Sequence, residues 1–160
     1  MLHTLKPAAL LLLALIFWPA SSHASSLPVV RDFTQEAKES ARKQAPIMVL
    51  FMSRSCTYCE IVLNDFLLPM QRDRSYDNKV ILRQIETYSK DKLIDFNGKE
   101  TTLSAFAASH KVWAVPTVVL FDSKGKVMST IVGLLTVDFY LAYLDIAIND
   151  AQDKIKAGGK

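Results

Sequence analysis

The chain has 160 residues, half of them hydrophobic, with nineteen Lys and Arg against sixteen Asp and Glu and a formal net charge of +3. That length makes one ordinary domain with a substantial core, and a mild positive balance without Lys/Arg clusters excludes a nucleic-acid partner from the expectations. Two cysteines and three histidines are its whole stock of thiolate and imidazole ligands, too few and too scattered for a four-ligand structural zinc site.

Residues 1–24 do not read as part of the fold. Lys6 gives a short basic start, residues 7–20 are an apolar stretch too short to span a bilayer, and Ser22 and Ala24 put small residues where a signal peptidase reads them. The expectation is a cleaved signal peptide over 1–24 and a mature domain over 25–160, exported to an oxidising compartment such as the periplasm. An uncleaved N-terminal anchor is the alternative; no cysteine stands near the site for a lipoprotein anchor. Removing 24 of the 160 residues takes away Lys6 and no acidic residue, leaving 136 residues and a net charge of about +2.

A first helix is expected between Leu27 and Gln44, capped by Asp32 or Thr34, with Phe33, Ala37 and Ala41 inward. It leads into the apolar run 48–52, which reads as a strand buried on both faces. The run stops at Ser53-Arg-Ser-Cys56-Thr-Tyr-Cys59, and Ile61, Leu63, Phe66 and Leu67 then recur at helical spacing. Both cysteines therefore fall at a strand-to-helix junction. Unpaired N–H groups and the positive end of the helix dipole favour a thiolate at Cys56, which makes it the candidate nucleophile. Cys59, one turn further on the same side, is placed to resolve a mixed disulfide. Half a zinc site would need further ligands, haem attachment would need His where Glu60 stands, and a structural bridge would close too short a loop to restrain the unfolded chain much.

The helix is expected to run to about Leu68, where Pro69 interferes, followed by a solvated segment over 71–78 and a second strand over 79–87 parallel to the first. Asn97-Gly98 predicts a small hairpin between 93–96 and 99–101, with a plain loop as the alternative. Thr102 is expected to cap a helix through Lys111 with Leu103, Phe106 and Ala107 inward, and His110 near its C-terminus reads as a dipole contact rather than a metal ligand. Residues 116–121 and 127–132 predict an antiparallel strand pair across the turn at Asp122 to Lys126. Pro116 at the head of the first invites a cis bond after Val115, which would leave the Val115 backbone free to pair with an extended peptide. Thr136 caps a last helix to about Lys154, with Phe139, Leu141, Leu144, Ile146 and Ile148 apolar, Tyr140 and Tyr143 at the rim, and a frayed basic tail after it.

Helix, strand ending in Cys56-Thr-Tyr-Cys59, helix, strand, helix, Val115-Pro116-Thr117, hairpin, Gly133 and final helix resembles the thioredoxin superfamily over nearly the whole mature chain. Within it, residues 51–59, Asn97-Gly98 and the segment from Gly133 to Leu144 look most like the exported thioredoxin-related proteins of the SoxW type. The resemblance implies a thioredoxin-like α/β fold, a central mixed sheet of four to five strands flanked by helices, with a small hairpin insertion near Asn97-Gly98. It implies a redox-active disulfide between Cys56 (attacking) and Cys59 (resolving), and substrate contacts from Val115, Pro116 and Tyr58. Thioredoxin has Trp before its first Cys and Gly-Pro between the pair, where this chain has Ser55 and Thr57-Tyr58. Its buried acid six residues before the first Cys is replaced by Leu50, leaving Glu60 or water to serve the proton path. Arg54 is a candidate for lowering the Cys56 pKa.

The resemblance thus implies a thiol-disulfide oxidoreductase, expected to be monomeric and to reduce disulfides of substrate proteins. No metal or organic cofactor is expected, and the resemblance implies a membrane thiol reductase as electron donor. A soft-metal protein holding Cu(I) on the two thiolates with Met52 or His110 as helper is the rival, and an oxidase or isomerase would use the same residues at another redox poise.

Overall fold

A computed structural model describes residues 26–158; the expected leader and its cleavage site fall outside the described residues. No helix among the described residues is long and apolar enough to cross a membrane. The elements run α1 (Phe33–Lys43), β1 (Ile47–Met52), α2 (Thr57–Ile61), a π-helical segment (Val62–Leu67), α3 (Leu68–Arg72), a 3-10 turn (Arg74–Tyr76), β2 (Ile81–Glu86), β3 (Lys92–Ile94), β4 (Glu100–Thr102), α4 (Leu103–Ser109), β5 (Thr117–Phe121), β6 (Val127–Val132) and α5 (Val137–Gly158).

The main sheet has the order β2-β1-β5-β6, with β1 parallel to β2 and antiparallel to β5. β1 is buried along its whole length, and the period-2 alternation of a strand divides its side chains between two cores. Met48, Leu50 and Met52 face a layer made by α2, the π segment, α3 and α5, whereas Ile47, Val49 and Phe51 face α1, α4 and the β3–β4 hairpin. The outer edge of β2 is covered by the chain before α1, through Val30 N–H to Gln84 O (3.2 Å) and Gln84 N–H to Pro28 O (3.0 Å).

Most expected elements are present, with four corrections. The helix after Cys59 does not stop at Pro69 but continues to Arg72. A proline ring would clash with the carbonyl four residues back in an α-helix; the wide π turn, in which Leu68 N–H donates to Leu63 O, opens the backbone ahead of it. On α1, Ser40 rather than Ala41 is buried, its hydroxyl donating to Ala45 O at 2.7 Å. On α5 the inward face is Tyr140, Leu144, Ala147, Ile148 and Ala151. Those positions fall on one helical stripe in which alanines allow close approach to the sheet, while Phe139, Leu141 and Ile146 lie off it and are exposed. The tail expected to fray after Lys154 is instead helical, α5 running on to Gly158.

The Asn97-Gly98 segment forms the hairpin β3–β4. Asp95 closes its turn by accepting the N–H groups of Asn97 (2.8 Å) and Lys99 (2.9 Å), and Gly98 takes the left-handed conformation at φ +77°. Phe96 then stacks on Phe33 with ring centroids 4.4 Å apart. Thr102 caps α4 by accepting Ala105 N–H, and His110 ends it.

Candidate active site

Three chain segments meet at one end of the main sheet. The register Phe51↔Thr117 sets the loop after β1, which carries Cys56, beside the loop before β5, which carries Val115 and Pro116. Gly133 N–H donates to Pro116 O at 2.7 Å, which ties the β6–α5 connection to the same place. Gly133 adopts φ +73°, a left-handed conformation that favours glycine.

Cys56 and Cys59 form a disulfide. Cys56 is the N-cap of α2: its backbone is extended, and its sulfur accepts the Cys59 N–H at 3.1 Å. A side chain at this position normally offers oxygen to the orphan N–H groups of the first turn. Here a sulfur takes that role, so a thiolate at Cys56 has a hydrogen bond and a helix dipole waiting for it. The two sulfurs differ in access, since Cys56 is partly buried while Cys59 is sealed into the core among Met52, Val62, Leu63 and Phe66. Cys56 is thus the more accessible of the two sulfurs.

The Val115–Pro116 peptide bond is cis, and among the described residues neither the N–H nor the C=O of Val115 has a hydrogen-bond partner. Thr117, next to Pro116, turns its hydroxyl to Ala114 O at 2.8 Å and so fixes the loop from within. Tyr58 stands out from the helix start with 63% of its surface exposed. Two further residues of the same three segments are as bare, Trp113 at 76% and Leu135 at 78%. The sequence signal for both is slight: a bulky apolar residue within three positions of a turn-forming residue, Pro116 or Gly133.

Other sequence candidates do not converge on the pair. Arg54 is 93% exposed and directs its Nε toward Glu86 Oε2 at 3.9 Å rather than toward sulfur. Glu60 faces solvent, where Asn64 Nδ2 donates to it at 3.3 Å. His110 belongs to the opposite face of the sheet: its Nδ1 lies 3.0 Å from Phe106 O, and its ring packs on Phe106 and Phe121. It is thus separated by the sheet from Cys59 and Met52, and among the described residues no group of three or more His, Cys, Asp or Glu converges as a metal site. Tyr140, expected at the rim, is fully buried in the core that also holds Cys59, with burial pushing its hydroxyl up to about 12.

A thioredoxin-like domain matches the sequence over residues 33–148. The chain belongs to the thioredoxin-like family. Solved structures agree in fold: thioredoxin O2 of Arabidopsis thaliana in its oxidised state is 20% identical with a TM-score of 0.50, over 80% of this chain and 96% of that one. Mitochondrial thioredoxin 3 of Saccharomyces cerevisiae, oxidised form, is 17% identical with a TM-score of 0.51, over 78% and 94%. A thioredoxin-fold protein of Helicobacter pylori is 17% identical with a TM-score of 0.51, over 77% and 94%. No curated protein matches the sequence. A thioredoxin-like domain whose Cys-x-x-Cys pair is joined at the start of a helix is a thiol-disulfide oxidoreductase.

Proposed function

We propose that this member of the family is an exported reductase of protein disulfides, of the SoxW type, with Cys56 as the attacking and Cys59 as the resolving thiol. The observation that carries the assignment of roles is the asymmetry of the pair: the accessible sulfur of Cys56 caps α2, and that of Cys59 is buried behind it. The Cys56 thiolate attacks one sulfur of a substrate disulfide; the substrate bond breaks, one substrate sulfur leaves as thiolate and takes a proton from solvent, and a mixed disulfide forms. Cys59 then loses its proton and attacks Cys56 Sγ. The second substrate sulfur leaves, and the Cys56–Cys59 bond closes with the substrate reduced by two electrons. Val115 supports this path through its free N–H and C=O, which can pair with the substrate strand as a short β-bridge. Pro116 and Tyr58 complete the contact surface. The recharging dithiol is assigned to a membrane thiol reductase, and export to the segment 1–24.

The test is to equilibrate the Cys56/Cys59 couple with dithiothreitol and glutathione buffers and to challenge Cys59→Ser with a disulfide-bonded protein. The expected result is a potential at the reducing end of the family range, near about −270 mV, and a mixed disulfide through Cys56 that accumulates in the variant. A potential near about −120 mV would overturn the reductase assignment in favour of disulfide formation.

A further inference from the structure

Three buried side-chain oxygens lack a hydrogen-bond partner among the described residues: Glu36 Oε2, Thr87 Oγ1 and Tyr140 OH. Glu36 is accounted for by its ion pair with Arg83 at 2.7 Å. Tyr140 is not. Phenylalanine would fill the same space without a stranded hydroxyl, so the oxygen calls for a use.

Its position suggests one. Tyr140 sits in the first turn and a half of α5, where a long side chain leans back toward the helix N-terminus. That end follows Gly133, bonded to Pro116, so the phenol leans toward the end of the sheet that carries the disulfide. Its ring packs on Phe66 at 5.0 Å, within the apolar body that also encloses Cys59, Leu50, Met52, Val62, Leu63 and Val118. β1 and β5 contribute no charged residue to this body. The charged groups of the other elements around it face away: Glu60, Asp65 and Asp138 are exposed, and Asp145 accepts the Tyr76 hydroxyl at 2.8 Å on the flank.

We propose that Tyr140 donates a hydrogen bond to the sulfur of Cys59 in the reduced protein, directly or through one water, and so eases ionisation of the buried resolving thiol. This rests on the assignment of Cys59 as the resolving thiol. A disulfide sulfur is a poor acceptor and a thiolate a strong one, so the hydroxyl unpaired in the oxidised form gains its partner on reduction. Because burial keeps the phenol protonated far above neutrality, Tyr140 acts as a donor and not as a base. In the resolution step the Cys59 proton goes to solvent or to the departing substrate thiolate, and Tyr140 keeps its own. It acts on the second half-reaction, with no part in the first.

The experiment is single-turnover reduction of a disulfide-bonded protein across pH, following formation and resolution of the mixed disulfide separately in the parent, Tyr140→Phe and Thr87→Val. Tyr140→Phe is expected to leave the Cys56 attack unchanged, to move the pH midpoint of resolution upward by about one unit, and to slow resolution roughly tenfold at neutral pH. Its oxidised form is expected to be at least as thermostable as the parent, because no hydrogen bond is lost. An unshifted resolution profile, a shift produced by Thr87→Val instead, or destabilisation of the oxidised Tyr140→Phe protein would overturn the proposal. Failure of Cys59→Ser to accumulate a mixed disulfide would instead remove the underlying assignment of Cys59.

Discussion

The two faces of the main sheet are built on different terms. The face toward α1, α4 and the β3–β4 hairpin is an aromatic assembly in which Phe33, Phe96, Phe106, Phe121 and His110 pack ring against ring. Its helices are regular and capped, and His110, the polar ring within it, has its Nδ1 at a backbone carbonyl. The face toward α2 and α5 holds the disulfide, the π turn and the unpaired Tyr140 hydroxyl. The π turn and the stranded Tyr140 hydroxyl lie on the face that holds the disulfide, while the other face supplies regular packing. The sheet between them is thin, yet its alternating side chains keep the two duties apart.

If that division holds, damage to the aromatic face should cost stability and spare redox chemistry. Phe106 is the sharpest probe, with ring centroids 4.5 Å from Phe33, 6.4 Å from Phe51 and 4.2 Å from His110. Phe106→Ala is expected to lose about 3–5 kcal/mol in denaturant unfolding while the potential of the Cys56/Cys59 couple stays within error of the parent. A displaced potential in a variant that remains folded would show that the faces communicate. A smaller effect is expected at Gly125, in the turn between β5 and β6 at the end of the sheet remote from Cys56. A Cβ there would lie 2.6 Å from the Phe96 ring, and the backbone holds φ +78°. Gly125→Ala should therefore cost about 1–2 kcal/mol and leave turnover unchanged; an intact stability would mean that the hairpin gives way freely and adds little to the aromatic face.

How much of this could be read in advance depended on how local the signal was. The strand, the turn and the cysteine pair were legible because apolar run, polar turn and change of period occupy one short stretch, 48–67. The β3–β4 hairpin was legible from Asn97-Gly98 alone. Pro69 misled, because a proline ends a helix only if the preceding turns stay α-helical, and a π turn leaves no periodic trace in six residues. The inward face of α5 was missed for a different reason. Weighting large apolar residues favoured Phe139, Leu141 and Ile146, whereas close packing on a sheet selects alanines at Ala147 and Ala151 and leaves room for a buried tyrosine beside them. The exposure of Trp113 and Leu135 is a tertiary fact, set by three loops meeting.

The smallest effect tests whether α1 contributes to stability alone. Asp32 caps it by accepting Thr34 N–H at 2.8 Å and the Thr34 hydroxyl at 2.7 Å. The bond from that hydroxyl, ahead of the backbone bond, holds the Asp32 carboxyl below its ordinary value of 3.8 in the folded protein. The unfolded chain therefore binds the proton first as pH falls, so the cap contributes fully above the unfolded value and is lost as pH drops through the lower, folded one. Asp32→Ala is expected to cost about 1 kcal/mol at neutral pH, with the gap to the parent closing in unfolding measurements carried down below the ordinary value of 3.8. Asp32→Asn should keep most of the cap and lose the pH dependence. A gap that persists unchanged in acid would assign the cap's contribution to geometry rather than to the carboxylate. A change in the redox potential of either variant would mean that the order of α1 reaches across the sheet to the disulfide.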